Sequence, residues 1–235
     1  MAAGNEKINN FTINSKYEIR NPKQIQKTKI QKFKTFKNLN LDIVSNFDIR
    51  ISNFNQIMPY IPSGGELLNP REILETAGLK EGMVAIDMGC GTQGHFVFAA
   101  ARIVGDKGKV YGVDILKSAL SGVESQAKLQ GAKNVKTIWS DIEVYGATKI
   151  FGGADMVMLI NNLPKEAMMR EALRLVKPGG KLLAVDWKTS AAPFGPPSKD
   201  RIPPEVIKGL AGNLGLKLEK EWNAGKYHFG LVFTK

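Results

Sequence analysis

The sequence Val84-Ala85-Ile86-Asp87-Met88-Gly89-Cys90-Gly91-Thr92-Gln93-Gly94 joins a short apolar run to a glycine-rich turn. The run Met83–Met88 has a β-branched centre and is bounded by glycines, which predicts a buried strand. The three glycines follow the spacing G-x-G-x-x-G, and a helix is predicted over Thr92–Val104 directly behind them. Glycines let a backbone turn sharply and approach a ligand closely, while a helix N-terminus offers free N–H groups. This pattern is typical of a βα unit that binds a ligand at its turn.

Strands and helices alternate along the rest of the chain from Asn69 onward. Further strands are predicted over Val110–Val113, Val135–Trp139, Asp155–Ile160, Lys181–Trp187, Lys217–Trp222 and Phe229–Thr234. Further helices are predicted after the Asn69-Pro70 cap, over Lys117–Leu129 and Lys165–Leu175, and from Pro203-Pro204 to Leu214. Alternation of this kind predicts right-handed βαβ units. The last two strands are too close for a crossover, so we expect a hairpin with a turn at Ala224-Gly225. The sequence therefore predicts an α/β fold with a doubly wound, mostly parallel seven-stranded sheet and an antiparallel C-terminal strand.

Charge and composition divide the chain near Met58. The 235 residues carry 33 basic and 22 acidic side chains, a net charge of +11, and residues 1–57 contribute +6 of it. We expect residues 58–235 to form the domain. Residues 1–57 are interpreted as a basic Lys/Asn-rich leader that is disordered, or as upstream sequence read in frame before a true start at Met58. The alternative is a basic arm, interleaved with Phe33 and Phe36, that binds nucleic acid.

Some classes of protein are excluded by composition. Cys90 is the single cysteine, which rules out an internal disulfide framework and a zinc site built from several cysteines. His95 and His228 are the only histidines, so we expect no metal site. No apolar stretch approaches the ~20 residues of a membrane span, and no signal peptide is recognisable. We therefore expect a cytoplasmic protein.

Acidic residues stand at the ends of three predicted strands. Asp87 precedes the first glycine, Asp114 follows Gly94 by twenty residues, and Asp141 follows the strand ending at Trp139. An acid at the second strand end can accept both hydroxyls of a ribose, which indicates a cofactor containing adenosine. These residues alone leave an NAD(P)-binding oxidoreductase open.

Two further features bear on the choice of cofactor, namely the turn Lys177-Pro178-Gly179-Gly180 and the closing hairpin. Together with the stretches above, they resemble the class I S-adenosylmethionine-dependent methyltransferases, in the group related to the ubiquinone/menaquinone C-methyltransferases. The resemblance covers about Asn69–Lys235. It implies a Rossmann-like fold, S-adenosylmethionine as cofactor, and methyl transfer to a small-molecule acceptor that the sequence does not identify.

The resemblance also implies roles for individual residues. Asp87 and its glycine loop hold the methionine end of the cofactor, Asp114 takes the ribose hydroxyls, and Asp141 takes the adenine amino group. The full set of implied cofactor-binding residues is Asp87, Gly89, Cys90, Gly91, Asp114, Ile115, Asp141, Ile142 and Asn161. One departure from the family pattern is Gln93, which occupies the third-glycine position of G-x-G-x-G, so that either the turn shifts by one residue or cofactor binding weakens.

The catalytic residue is not identified by the sequence, because methyl transfer requires alignment and exclusion of water more than an obligatory acid or base. His95 and Asn161 are the candidates nearest to the expected site. His228 is interpreted as structural and Arg201 as a solvated surface residue. The proline-rich segment 188–204 and the segment Tyr60–Glu66 are expected to cover the site.

Overall fold

The computed structural model describes residues 41–44, 48–51, 67–150, 153–162 and 164–235. The chain divides into two compact units, Met1–Tyr60 and Ile61–Lys235. In the first unit, strands β1 (Leu41–Val44) and β2 (Asp48–Ile51) pair antiparallel. The rest of residues 1–57 lies outside the described residues, as does the expected cover Tyr60–Glu66. The interpretation of the leader and the boundary at Met58 therefore stay predictions.

In the second unit helices and strands alternate before the closing hairpin, with one exception. The helices are α1 (Pro70–Thr76), α2 (His95–Val104), α3 (Lys117–Gln130), α4 (Glu166–Leu175) and α5 (Pro204–Asn213). The strands are β3 (Val84–Met88), β4 (Lys109–Asp114), β5 (Val135–Trp139), β6 (Ala154–Ile160), β7 (Val176–Trp187), β8 (Lys217–Gly225) and β9 (His228–Thr234). The exception is that no helix among the described residues separates β5 from β6. The predicted cap of α1 is confirmed, because the Asn69 side chain accepts from the Glu72 N–H at 3.3 Å.

The strands form one sheet in the order β5-β4-β3-β6-β7-β9-β8. The pairs from β5 through β7 are parallel, and β9 runs antiparallel to both β7 and β8. The predicted fold class is thereby confirmed. The chain order reverses between β3 and β6, and ligands of doubly wound sheets bind at such a switch point, beyond the carboxyl ends of the strands.

Helices cover both faces of the sheet with separate apolar clusters. On one face, α1 and α2 pack on side chains that include Ala85, Met158 and Val185. On the other face, α4 and α5 pack on side chains that include Ile86 and Leu159. Strands buried on both faces read as continuous apolar runs, which is why Met83–Met88 and its counterparts are recognisable in the sequence.

The structure corrects two predicted turns. The Lys177–Gly180 segment is part of β7, because Val176 pairs with Ala154 and the register then shifts so that Lys181 pairs with Met156. The turn of the final hairpin lies at Lys226-Tyr227, because Gly225 pairs with His228 after an irregularity in β8. In both places a bulged strand absorbs the glycines that suggested a turn.

No helix among the described residues combines the length and apolar character that crossing a membrane requires.

Candidate active site

The glycine loop after β3 is fixed to the neighbouring strand. The N–H groups of Gly89 and Cys90 both donate to the Val113 carbonyl, at 2.7 and 3.0 Å. Gly89 has φ +77°, and a Cβ at this position would lie 2.8 Å from the carboxamide of Asn162. Only glycine meets both requirements, so the first glycine is needed for the shape of the loop itself.

Gly94 takes over the role of the third glycine. It adopts the left-handed conformation at φ +57° and ψ +35°, immediately before α2. A Cβ here would lie 3.1 Å from Phe98 and from Val123, so the helix packs closely over the loop. Helix α2 consequently begins at His95, three residues after the predicted start, and Gln93 is exposed. The left-handed residue thus stands one position after Gln93, as a shifted turn predicts, and the effect of Gln93 on cofactor binding stays a prediction.

Asp114 connects the end of β4 to the glycine loop. One carboxylate oxygen accepts from the Gly91 N–H at 3.0 Å and the other from the Leu116 N–H at 2.9 Å. A carboxylate has about four lone-pair positions, so each oxygen keeps one for a ligand hydroxyl. The predicted ribose acceptor is therefore held rigidly with acceptor capacity to spare.

Asp87 is buried in the sheet beneath the loop. Burial raises the pKa of its carboxyl to about 7, and the nearby Asp114 carboxylate adds to the rise. Burial, with the same two carboxylates, also raises the pKa of the Cys90 thiol. Cys90 is therefore a protonated, unreactive thiol, whereas a cation arriving at this end of the loop would stabilise the charged form of Asp87.

Two asparagines follow β6 at the switch point. Asn161 has φ +54°, a conformation that asparagine tolerates better than most residues, and its N–H donates to the Val185 carbonyl at 2.8 Å. The Asn162 carboxamide donates to the Met88 carbonyl and rests against Gly89. The loop after β6 thus supports the glycine loop directly. Asn162 was not among the predicted site residues, because nothing local in the sequence shows a contact that spans 74 positions.

A pocket of about 130 Å³ opens between the two loops. It is lined by Leu68, Asp87, Gly89, Cys90, His95, Phe96, Ile160 and Asn161. Both catalytic candidates, His95 and Asn161, thus share one pocket with the predicted methionine-binding residues. Its volume is below the roughly 300–1,000 Å³ of whole ligand sites, so it suits one end of a cofactor rather than all of it.

The residues predicted to bind adenosine lie along the same edge, outside this pocket. Ile115 is half exposed next to Trp139, whose indole N–H donates to the Ile115 carbonyl at 2.7 Å. Asp141 accepts from the Glu143 N–H at 2.9 Å, which orders the loop after β5. Ile142 is partly buried against the cluster under α4 and α5. Of the two isoleucines in the implied cofactor-binding set, Ile115 is therefore the more open.

A larger groove of about 500 Å³ lies near β8 and β9, on the side of the sheet away from β5. Its lining includes Lys188, Glu205, Glu221 and Phe229. None of the glycines or acids of the β3 and β4 ends contributes to it. By size alone the groove would be the better candidate for the cofactor site. The smaller pocket is the better candidate on chemical grounds, because a glycine loop and buried carboxyls converge there.

Arg201 corrects the expectation of a solvated surface residue. The residue is 6% exposed, and its guanidinium donates to the backbone carbonyls of Lys188, Ser190, Phe194 and Pro196 at 2.7–3.3 Å. It therefore holds together the segment that follows β7 at the carboxyl edge of the sheet. Sequence gave no sign of this, because the acceptors are main-chain groups.

The described residues contain no group of three or more His, Cys, Asp or Glu that could hold a metal ion. The site combines a glycine loop, strand-end acids and a small pocket at the switch point of the sheet. A family model described as "Methyltransferase domain" matches residues 79–208, more than half of the chain. The chain belongs to the methyltransferase domain family.

Individual relatives agree with this family. A demethylmenaquinone methyltransferase of Geobacillus sp. (strain WCH70) is 29% identical over 117 residues, 49% of this chain and 50% of the relative. A ubiquinone/menaquinone biosynthesis C-methyltransferase of Shewanella woodyi is 30% identical over 154 residues, 62% of this chain and 56% of the relative. The chain spans about half the length of the curated relatives it matches.

The solved structures give the same result. The crystal structure of a SAM-dependent methyltransferase from Aquifex aeolicus aligns with a TM-score of 0.66 and 27% identity, covering 74% of this chain and 93% of that one. The predictions of a class I methyltransferase and of S-adenosylmethionine as cofactor are confirmed. The NAD(P) alternative finds no support among these relatives.

The geometry of this methyltransferase domain fits the cofactor. Gly89 has no side chain that would fill the space at the loop. The buried carboxyl of Asp87 would be stabilised in its charged form by a cation, and the carboxylate of Asp114 can still accept hydrogen bonds from hydroxyls. An amino acid end, a cationic group and a ribose are the chemical features that these residues match. The roles of the individual residues stay predictions.

Proposed function

We propose that the protein transfers a methyl group from S-adenosylmethionine to a ring carbon of a small quinol-type acceptor in the cytoplasm. The observation that carries the proposal is the pocket that joins Asp87 and the glycine loop to His95 and Asn161. The names of the Geobacillus and Shewanella relatives support a quinol as the acceptor class.

Each part of the site has a task in this proposal. S-adenosylmethionine, when bound, supplies a methyl group on a sulfonium centre that leaves as a neutral thioether. Asp87 and the N–H groups of the glycine loop hold the amino acid end, and Asp114 holds the ribose. Leu68, Phe96 and Ile160 are apolar and keep water from the pocket.

The acceptor side of the pocket is polar. His95 is exposed at the first turn of α2, and Asn161 is held by its backbone bond to Val185. An acceptor ring carbon that gains a methyl group loses one proton, and the His95 imidazole at the rim takes that proton or passes it to solvent. The main contribution of the chain is nonetheless alignment of donor and acceptor.

The test uses the full chain with S-adenosylmethionine and 1,4-dihydroxynaphthalene, kept reduced under anaerobic conditions. We expect S-adenosylhomocysteine and a singly C-methylated naphthalenediol in equal amounts, measured by mass spectrometry. Asp114→Asn replaces one ligand-facing oxygen by an amide and is expected to weaken binding of S-adenosylhomocysteine by about 10-fold or more. Asp106→Asn is the matched control, because Asp106 is exposed in the turn after α2.

Two results would count against the proposal in different ways. Equal affinity of the Asp114→Asn and wild-type proteins for S-adenosylhomocysteine would show that Asp114 does not bind the ribose hydroxyls. Binding of S-adenosylhomocysteine without any methylated naphthalenediol would leave the cofactor site in place and exclude this acceptor class.

A further inference from the structure

His228 is a buried histidine without a hydrogen-bond partner. Its side chain is fully buried, and neither Nδ1 nor Nε2 bonds to another atom of the structure. A buried polar group left unpaired costs about 1–3 kcal/mol, and such groups are rare in native proteins. The position therefore needs an explanation other than packing, since phenylalanine or leucine would fill it without that cost.

His228 lies at the edge of the sheet where the pocket opens. It is the first residue of β9 and pairs with Trp187, the last residue of β7. It also pairs with Gly225, where a Cβ would lie 3.9 Å from the His228 Nδ1 and 3.3 Å from the Leu68 side chain. Leu68 in turn lines the pocket with His95. Gly225 is thus close both to the imidazole and to Leu68, a residue of the candidate pocket.

Aromatic side chains surround His228. The Trp187 ring centroid lies 4.1 Å from that of the imidazole. Phe194 meets Trp187 edge-on at 6.2 Å and Tyr227 edge-on at 5.3 Å. Aromatic side chains stack on and against planar ligands with little loss of conformational entropy. This group of four rings stands at the carboxyl end of β7, next to the switch-point strand β6.

The imidazole is neutral at physiological pH. Burial lowers its pKa to about 4, and the positive charges of Lys188 and Arg201 add to the fall. Both cations are engaged elsewhere, Lys188 with the carbonyls of Gly225 and Lys226 and Arg201 with the loop carbonyls. A neutral imidazole offers one donor and one acceptor, the pair that a phenolic hydroxyl also offers.

We propose that His228 binds a ring hydroxyl of the methyl acceptor, in a subsite formed with Trp187 at the carboxyl edge of the sheet. The inference rests on the proposed function for the class of acceptor. The hydrogen bond fixes which ring carbon faces the pocket at His95 and Asn161. His228 is then a specificity-determining residue for the acceptor and plays no part in holding the cofactor.

The test compares His228→Phe with the wild-type full chain in three measurements. Because the unpaired nitrogens are removed and an aromatic ring is kept, we expect the melting temperature without ligand to stay the same or rise. The dissociation constant of S-adenosylhomocysteine should not change. In the presence of S-adenosylhomocysteine, the dissociation constant of 1,4-dihydroxynaphthalene should rise about 10-fold, the loss of one hydrogen bond. His228→Gln, which keeps a donor and an acceptor, should restore part of the affinity.

Thr234→Val is the matched control on the same strand. Thr234 lies at the opposite end of β9, and its hydroxyl donates to Glu219 at 2.8 Å. Removal of this satisfied hydroxyl should lower the melting temperature and leave the affinity for 1,4-dihydroxynaphthalene unchanged. Removal of an unpaired group in His228→Phe and of a paired hydroxyl in Thr234→Val should therefore change the melting temperature in different directions.

Nuclear magnetic resonance of the imidazole Cε1–H signals supplies the direct readout. The chain has two histidines, so His228→Phe assigns both signals. A shift of the His228 signal on adding 1,4-dihydroxynaphthalene supports the subsite even if no methyl transfer follows, in which case only the proposed function fails. Methyl transfer with an unchanged KM in His228→Phe overturns the inference and leaves the function intact.

Two other results also overturn the inference. If 1,4-dihydroxynaphthalene does not bind to the wild-type protein, His228 has no role in binding this class of acceptor. Lower melting temperatures in both His228→Phe and His228→Leu, which change the side-chain shape in different ways, would show that the nitrogens are already satisfied, as a buried water would satisfy them.

Discussion

The carboxyl of Asp87 shows how one buried group is tuned by its place in the fold. In the sequence it is an acid at the end of an apolar run. In the structure it lies beneath a glycine loop, with the carboxylate of Asp114 nearby, and burial brings its pKa to about 7. Neutral pH therefore leaves the group divided between charged and uncharged forms. A ligand with a positive charge shifts this balance toward the charged form.

The raised pKa of Asp87 predicts that the free energy of unfolding depends on pH. Because the folded pKa lies above the unfolded value near 4, the folded state binds the extra proton between about pH 4 and pH 7. The stability contributed by protonation is complete below pH 4 and is lost as the pH rises through 7. Asp87→Asn should thus melt at a higher temperature than wild type at pH 8 by several degrees, with little difference at pH 5.

Thermal melts without ligand at pH 5 and pH 8 check this prediction. Asp106→Asn, with an exposed carboxyl, should show the same pH dependence as wild type. A wild-type protein that loses no more stability than Asp87→Asn between pH 5 and pH 8 would contradict the account of the buried carboxyl.

At the scale of elements, the segment between β7 and α5 behaves as one organised unit. Its prolines and glycine suggest an irregular loop, and its backbone is irregular apart from one 3₁₀ turn at Ser198–Asp200. Arg201 gives the loop its order by binding four carbonyls, and its guanidinium also lies 5.2 Å from the Trp187 ring centroid. A single side chain thereby replaces the backbone hydrogen bonds that a helix or strand would supply.

Arg201→Lys is expected to lower the free energy of unfolding by about 2 kcal/mol. Lysine is a point charge with three donors and cannot serve four separated carbonyls as the planar guanidinium does. Urea unfolding measures the loss, and hydrogen exchange should show faster exchange confined to residues 188–203. Arg170→Lys on α4 is the control, because Arg170 forms an exposed pair with Glu166 at 2.6 Å and such pairs contribute little. Equal effects of the two substitutions would show that the Arg201 bonds do not organise the loop.

At the scale of the whole molecule, the chain combines a unit that ends at Tyr60 with the methyltransferase unit. The basic charge concentrated in residues 1–57 remains open to three interpretations, namely a disordered leader, in-frame upstream sequence and a nucleic-acid-binding arm. The methyltransferase unit carries the whole seven-stranded sheet and every residue of the candidate site.

A fragment Met58–Lys235 is expected to keep the melting temperature and the affinity for S-adenosylhomocysteine of the full chain, because its sheet and site residues are complete. Differential scanning fluorimetry and calorimetric titration of both proteins measure this. In parallel, binding of a single-stranded RNA of mixed sequence is measured over a range of salt concentrations. Strong, salt-dependent binding by the full chain alone would favour the basic arm. A fragment that fails to fold would show that residues 1–57 belong to the structure.

Local pattern was enough to predict the fold of this protein. The runs of apolar residues, the glycine spacing and the cap at Asn69-Pro70 each act within a few positions of the chain, so the strands, the helices and the α/β sheet follow from the sequence. The strand-end acids Asp87, Asp114 and Asp141 follow too, because parallel strands present their carboxyl ends at one edge. The family and its cofactor could be recognised from the sequence because the motifs that carry the resemblance are also local.

Only the tertiary structure decided how side chains from distant positions meet. Asn162 supports Gly89, Arg201 binds main-chain carbonyls, and His228 is buried without a partner beside Trp187. These contacts depend on which strands become neighbours and on register shifts such as those in β7 and β8. Periodicity reports which face of an element is buried, but it contains no information on the partner that a particular polar atom finds there.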